Sequence, residues 1–408
     1  MKFPTRPEVR SKLPASGPGT ALIAVMAVAC AVAVANLYYI QPMLGVVGRA
    51  FHGGFASSML FTATQVGYAA GMLFLMPLGD LLVRRDLIGI QFLGLALALV
   101  GAALAPDAWT LLGMSFLIGV GASVAQQIVP AAAALAPEER RGAVVGSVMA
   151  GLLAGILLSR TLSGWIAAEW GWRTVFWVAA PLALAGAAVT RLFPGGAAAP
   201  SMGYAPLMGS LFALWRQEPR LRRCALVMAL AFASFSAFWT VLALHLEEAP
   251  FFKGSDVAGL FGIVGLVGVC AAPWAGRRAD RQGAEKVAVW GAAAILLSWA
   301  ALGLWNSMLG LAAGVVALDF GEQTALVANQ RLVYSLRPEA HNRLNAMFMT
   351  VMFLGGSLGS AAAVGAFKAW GWPAVAVFGA ATGLAAMLAA FGGASRGEDS
   401  QAAQNGVK

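Results

Sequence analysis

Pro77-Leu78-Gly79-Asp80-Leu81-Leu82-Val83-Arg84-Arg85-Asp86 is a short charged turn set between two long apolar runs. It has a partner two hundred residues on, in Pro273-Trp274-Ala275-Gly276-Arg277-Arg278-Ala279-Asp280-Arg281-Gln282-Gly283. Asp80 and Asp280 stand 200 residues apart, as do Trp170-Gly171-Trp172 and Trp370-Gly371-Trp372. Pro137-Glu138 and Pro338-Glu339 are offset by 201. Three separated pairs at nearly one spacing mark a unit of about 200 residues used twice, and such repetition governs any fold built on it.

The solvent of this chain follows from its composition. It is 60% hydrophobic and 11% charged over 408 residues, with a mean hydropathy of +0.76. Soluble domains carry roughly 25% charged residues. A chain this apolar would leave large greasy surfaces in water, so the expected surroundings are a lipid bilayer. The 49 glycines suit that environment, where small residues let helix backbones approach closely. Cys30, Cys224 and Cys270 lie in or beside apolar runs at no metal or disulfide spacing, and read as small buried apolar residues.

A spanning helix needs about 20 mostly apolar residues. The runs that qualify are 20–47, 58–78, 87–104, 109–135, 143–167, 174–192, 222–246, 257–275, 287–305, 308–335, 344–368 and 373–391. The expected class is therefore an all-α membrane protein with twelve transmembrane helices in two pseudo-symmetric six-helix bundles. Its divisions are a tail at 1–19, a bundle at 20–192, a central loop at 193–221, a second bundle at 222–391 and a tail at 392–408. The central loop holds Pro194, Pro200, Pro206 and Pro219, with an amphipathic piece from Leu207 to Trp215 expected at the interface. Lys2, Arg6, Arg10 and Lys12 ahead of Ala33-Val34-Ala35 mimic a signal peptide. The apolar run continues too far for one, and reads as a first membrane helix.

Net charge is +9, but the basic residues form no single patch, which argues against nucleic acid. With the N-terminus in the cytoplasm, most of the 27 Lys and Arg residues fall in inward loops and tails. Arg49, Arg173, Lys253 and Lys368 fall outside, and Arg160 and Arg331 lie within helices. That asymmetry is the positive-inside pattern and makes both termini cytoplasmic.

Twelve helices, a six-plus-six repeat and paired charged turns resemble the major facilitator superfamily. Its turn reads, loosely, Gly-x-x-x-Asp-Arg-x-Gly-x-Arg-Arg. The second copy here matches at Gly276, Asp280, Arg281 and Gly283. The first keeps Asp80, Arg84 and Arg85 but departs at Met76, Leu81 and Val83. Asn36-Leu37-Tyr38-Tyr39-Ile40-Gln41-Pro42-Met43-Leu44 is similar to the first-helix signature of bacterial efflux-type members, those like drug, sugar and nucleoside proton antiporters. Gly151, Gly155, Ser159-Arg160 and Gly164 are similar to an antiporter fifth-helix motif, with Ile156 where Pro is common. The resemblance implies a bacterial inner-membrane transporter that works as a monomer on a small molecule, with protons as the driving partner. It also implies that helices 1, 4, 7 and 10 line a central cavity while 3, 6, 9 and 12 face lipid.

Polar residues fall on the helices so assigned. Asn36, Tyr39 and Gln41 lie on helix 1, Gln126 and Gln127 on helix 4, Trp239 on helix 7, and Gln323 and Gln330 on helix 10. With Gln65 these are the candidates for the substrate cavity, and each can instead bridge or pack helices. Asp319 and Glu322 are three apart and share a helix face at membrane depth. Ionisable groups there are costly and are functional candidates by default. Arg160 cannot shed its charge and needs a partner. One reading makes Asp319 or Glu322 a proton carrier and Arg160 an anchor for substrate or carboxylate. The other makes the three a structural network. His245, beside Glu247 and Glu248, is expected at a solvated rim. Asp80, Arg84 and Arg85, with Gly276, Asp280, Arg281 and Gly283, are the gating-turn candidates.

No nucleotide-binding loop, catalytic constellation or metal-ligand spacing is present, so neither an enzyme nor a cofactor is expected. The function expected is proton-driven export of a small amphipathic organic compound by alternating access. Uptake or proton-independent transport on the same fold is the alternative, with a non-transporting receptor behind it. The topology is testable at once. Reporters inserted near Gly203 and fused after Lys408 should read as cytoplasmic, and one near Lys253 as external. Finding the Gly203 and Lys253 reporters on one face would refute the helix count between them.

Overall fold

The computed structural model describes residues 19–194, 203–337 and 340–405, with backbone alone at 266–270 and from 393 on. Lys2, Arg6, Arg10, Lys12, Pro200, Pro338-Glu339 and Lys408 lie outside the described residues, as do the side chains of Cys270 and Arg396. The chain crosses as α1 (Thr20–Ala50), α2 (Leu60–Asp80), α3 (Arg84–Ala103), α4 (Ala108–Leu135), α5 (Glu138–Trp170) and α6 (Trp172–Leu192). The second half follows as α7 (Pro219–Glu247), α8 (Ser255–Val264 continued by Leu266–Gln282), α9 (Ala284–Leu304) and α10 (Met308–Tyr334). The last run, His341–Asn405, breaks at Gly371 into α11 (341–370) and α12 (372–405).

The breaks have local causes. Gly171 and Gly371 sit at φ +83° and +69°, a region that glycine enters without a side-chain penalty. Each therefore ends one crossing and starts the next, which explains the Trp-Gly-Trp repeat. Asp107 and Ser307, also 200 apart, cap the fourth helix of their halves. Asp107 accepts from the backbone N–H groups of Trp109 and Thr110 at 2.9 Å, and Ser307 from that of Gly310 at 3.1 Å. At the charged turns the two halves differ. The helix of the second copy runs to Gln282 and reverses at Gly283, φ +90°. The first copy has Val83 there. Its helix stops at Phe74, tightens into a 3₁₀ turn over Pro77–Asp80 and leaves through an extended Val83.

Packing repeats as the sequence does. In the first half α1 lies against α5, α2 against α4 and α3 against α6. In the second half α8 packs on α10 and α9 on α10, while the run that forms α11 and α12 packs on α7 and α9. Glycine sets the closest approaches. A Cβ on Gly151 or Gly155 would strike the backbone of Ala27 or Ala31, and one on Gly355 or Gly359 that of Ala229 or Ala233. So α5 meets α1 as α11 meets α7. The bundles face each other through α2 with α11 and α5 with α8.

Large apolar side chains left on the outside are plentiful on α3, α6, α9 and α12, among them Ile90, Leu97, Trp177, Leu182, Leu297, Leu304, Val377 and Leu388. In water such a surface would associate, whereas lipid solvates it. The interfacial helix Tyr204–Gln217 buries Leu207, Leu211 and Leu214, one stripe at helical spacing. It touches both halves: the Tyr204 hydroxyl donates to the Phe74 carbonyl at 3.0 Å, and Arg343 donates to Ser210 Oγ at 3.1 Å.

Leucine at Gly155 or Gly359 should force backbones apart and cost about 1–3 kcal/mol. Melting of the purified protein in detergent should show both variants destabilised. Gly146→Leu, with open space around the added Cβ, should melt like the parent.

Candidate functional site

Arg160 is the organising residue of the middle. It stands on α5, two thirds of the way from the charged-turn end toward the opposite end, and is 4% exposed. Its Nε donates to Gln41 Oε1 at 2.7 Å. Its guanidinium carbon lies 3.8 Å from the centre of the Trp239 ring, 4.7 Å from that of Tyr38 and 5.9 Å from that of Phe235. Desolvated cation–π contacts of this kind are worth about 2 kcal/mol. Trp239 then carries the link across: its indole Nε1 donates to Asp319 Oδ1 at 3.2 Å. Arg160 and Asp319 thus approach through one tryptophan, and among the described residues no ion pair joins them directly.

Two breaks in the helices make this possible, and a third lies in α4. α1 is interrupted at Tyr39, three residues before Pro42, which offers no N–H to the preceding turn. That turns Tyr38 and Gln41 to the Arg160 side. α8 breaks at Gly265 and carries Gly259, Gly262 and Gly265 as a stripe. A Cβ on Gly259 would strike the Arg160 carbonyl, one on Gly262 would press the Arg160 side chain, and one on Gly265 would enter the Asp319 carboxylate. The stripe lets α8 pass against both charged residues. α4 is broken near Ser123 and Val124.

Glu322 lies one turn from Asp319, buried, and neither of its carboxylate oxygens has a hydrogen-bond partner among the described residues. The remaining candidates separate into groups. Gln41 and Trp239 join the central cluster. Gln65 bridges the bundles, donating to Ser236 Oγ at 2.9 Å. Gln126 donates to the Tyr68 hydroxyl at 3.1 Å and Gln127 to Gln91 Oε1, so both tie helices of the first bundle. Asn36 donates to the carbonyl of Val32 on its own helix, and Gln330 reaches the sulfur of Met349. Tyr39 and Gln323 are half-buried.

His245 is not at a solvated rim, as its neighbours Glu247 and Glu248 suggest. It is buried, stacked on Trp372 with ring centres 4.1 Å apart, and within 3.2 Å of Asn306 Oδ1. Glu247 turns the other way and pairs with Arg49 across the bundles, in a space that Gly45 leaves open. At the charged turns, Asp80 pairs with Arg84 at 3.2 Å and accepts from Asn342 of α11 at 3.5 Å. Arg85 pairs with Asp86 at 3.1 Å, and Asp280 with Arg331 at the end of α10. Gly276 has open space around it. Among the described residues no group of His, Cys, Asp and Glu is arranged to hold a metal.

Sequence reasoning passed over Phe235 and the α8 glycines. The spacing of three in Gly259, Gly262 and Gly265 was the available signal, since it places small residues along one helix face.

Two six-helix bundles meeting on a buried, polar midplane cluster are the plan of a membrane transporter. The chain belongs to the Major Facilitator Superfamily, whose family model matches residues 26–269 and again 224–406. It is 41% identical to transporter YgaY of Escherichia coli O157:H7 over 384 residues, 93% of this chain and 97% of that one. It is 34% identical to transporter SCO4007 of Streptomyces coelicolor over 384 residues, 92% of this chain and 88% of that one. Among solved structures, the Escherichia coli xylose transporter XylE in a partially occluded inward-open conformation superposes with a TM-score of 0.69 at 17% identity, covering 90% of this chain and 96% of that one. The protein is a membrane transporter and not an enzyme.

The Trp239–Asp319 contact can be weighed directly. Trp239→Phe keeps a ring and removes the donor, so it should destabilise by about 1–3 kcal/mol because a buried acceptor is stranded. Trp239→Phe with Asp319→Leu should lose less than the sum of the two single changes. Additive melting shifts across that cycle would show that the contact carries no energy.

Proposed function

We propose that the protein is a proton-coupled secondary transporter that exports a small amphipathic organic compound across the bacterial inner membrane by alternating access, with both termini cytoplasmic. The observation that carries the coupling is a charge account. Two buried carboxylates, Asp319 and Glu322, share the middle with one buried guanidinium, Arg160, and neither forms an ion pair with it. A buried carboxylate without partners is far more costly than the neutral acid. Glu322, with both oxygens unpartnered, is the group expected to stay protonated. Asp319, held by Trp239 and within the field of Arg160, is the one whose charge can change.

Arg160 belongs to one bundle and Asp319 to the other. Rocking the bundles alters their separation and the access of water to Asp319. The aspartate is then neutral while it is carried across and charged when it opens to the side that takes its proton. Outward direction is favoured by the efflux-type signature around Asn36 and Gln41. It is also favoured by a relative named multidrug resistance protein MdtG in Citrobacter koseri, 25% identical over 296 residues, 67% of this chain. The Asp80 turn, which accepts from Asn342 of the other bundle, acts as a state-dependent latch, since a contact made in one state alone shifts a population by its own energy, and the Asp280–Arg331 pair fastens α8 to α10 within its own bundle.

The test is purified protein in liposomes with an imposed pH gradient, screened first against drugs, sugars, nucleosides and amino acids. Asp319→Asn fixes the neutral form. It should keep substrate exchange and lose accumulation against a gradient. Glu322→Gln, which mimics a group already neutral, should be milder. Accumulation by Asp319→Asn at the parent's level would remove Asp319 as the carrier.

A further inference from the structure

The cavity beside Arg160 is small and lined by Gln41, Pro42, Arg160, Trp239, Leu242, Ala243 and Ala258. The gap exposes only apolar atoms, and the unpartnered polar groups packed behind it are of one kind. Arg160 Nη2 is buried with no hydrogen-bond partner, and so is Gln41 Nε2. The orientation of the Gln41 amide is settled by its neighbour. Oε1 accepts from Arg160 Nε, so the other end must be the NH₂ group. Both orphaned groups are therefore donors, on side chains 4% and 2% exposed. Neither carboxylate at this depth reaches these donors: Asp319 accepts from the indole of Trp239 and makes no ion pair with Arg160, and both oxygens of Glu322 are without a hydrogen-bond partner among the described residues. The remaining walls are aliphatic or aromatic.

A buried donor left unmade costs the full desolvation of that group. A site with two such donors, one of them on a fixed positive charge, and with apolar walls matches a ligand of one design. It presents paired acceptor oxygens with negative charge, on an apolar body. We infer that the transported compound is an amphipathic organic acid whose carboxylate docks between Arg160 Nη2 and Gln41 Nε2, with its apolar part along Trp239 and Leu242, once the gap, now about the size of one water, widens as the bundles part. An amine would put charge against charge. An ester or amide would accept from the donors but bring no charge to the guanidinium, whose carboxylate neighbour Asp319 stands one ring away. Lysine in place of Arg160 would keep the charge and lose the planar fork that shares itself between Gln41 and a carboxylate.

This assignment rests on the midplane cluster being the substrate site, and not on the proton coupling of Asp319. The test is equilibrium binding by calorimetry to the full-length protein in lipid nanodiscs, with benzoate, 4-phenylbutyrate, methyl 4-phenylbutyrate and 4-phenylbutylamine as probes. At least one carboxylate should bind, and the ester and amine should bind at least about tenfold more weakly, as expected for the loss of a charge-assisted hydrogen bond. Gln41→Leu should weaken the carboxylate about tenfold, and Arg160→Lys by a similar factor. Should Arg160→Lys not fold, Gln41→Leu and the probe series decide. Absence of binding by both carboxylates, equal binding of ester or amine, or undiminished carboxylate binding by Gln41→Leu would overturn the assignment. Gradient-driven accumulation of a non-acidic compound, lost in Asp319→Asn, would leave the coupling intact and remove only the acid.

Discussion

A guanidinium that cannot give up its proton lies in the middle of an apolar protein, and much of the central architecture is what it takes to keep it there. Arg160 receives one neutral acceptor from Gln41, aromatic faces from Trp239, Tyr38 and Phe235, and a carboxylate one ring away in Asp319. Breaking a buried charge network by removing one partner costs about 3–5 kcal/mol, because the other charge stays behind. The ligands of Arg160 come from α1, α7 and, through Trp239, α10. The cluster therefore ties the two bundles at the level where each is least able to solvate a charge.

Glycine makes the geometry affordable in space. Gly259, Gly262 and Gly265 bring α8 against Arg160 on one side and Asp319 on the other. Gly151 and Gly155 seat α5 on α1, and Gly355 and Gly359 seat α11 on α7. In lipid, apolar side chains gain little by leaving their solvent, so close backbone contact and interhelical hydrogen bonds do more of the work.

The fold was legible because its determinants are long-range in sequence and simple in kind. Apolar runs of spanning length gave the crossings, and Asp80/Asp280 and the Trp-Gly-Trp pairs gave the repeat. The site was legible only in part. Asp319, Glu322 and Arg160 stood out because charge at membrane depth is rare. That Gln41 and Trp239 join Arg160, while Gln127 is spent on Gln91 and Gln65 on Ser236, depends on helix rotation. A polar residue on a buried helix looks the same in sequence whether it faces a cavity or a neighbour. His245 misled for a related reason. Its acidic neighbours suggested water, but helical rotation turns it onto Trp372 while Glu247 faces Arg49.

The contacts between bundles are distributed unevenly along the membrane normal, and that bears on how the molecule moves. In the half away from the charged turns, Thr62 meets Ser360 at 2.9 Å, Gln65 meets Ser236 at 2.9 Å, Thr161 donates to the Gly259 carbonyl at 3.0 Å and Ser255 to that of Gly164 at 3.0 Å. Arg49–Glu247 and Lys368–Ser58 close the rim beyond them. Among the described residues at the charged-turn end, a direct polar link between bundles is the long contact of Asn342 with Asp80, supplemented by the interfacial helix. Each neutral hydrogen bond is worth about 1 kcal/mol net. Under the alternating-access proposal, a set of single bonds is exchanged for another set at the opposite end with a difference of only a few kcal/mol, the range in which a ligand or a proton would decide the population. Apolar contacts share the interface with these bonds, as where Tyr68 of α2 meets Phe353 of α11 with ring centres 4.5 Å apart. In the half away from the charged turns the bundles are therefore held by separable hydrogen bonds, and Arg160, the residue with the greatest need for partners, stands at their inner edge in the middle of the protein.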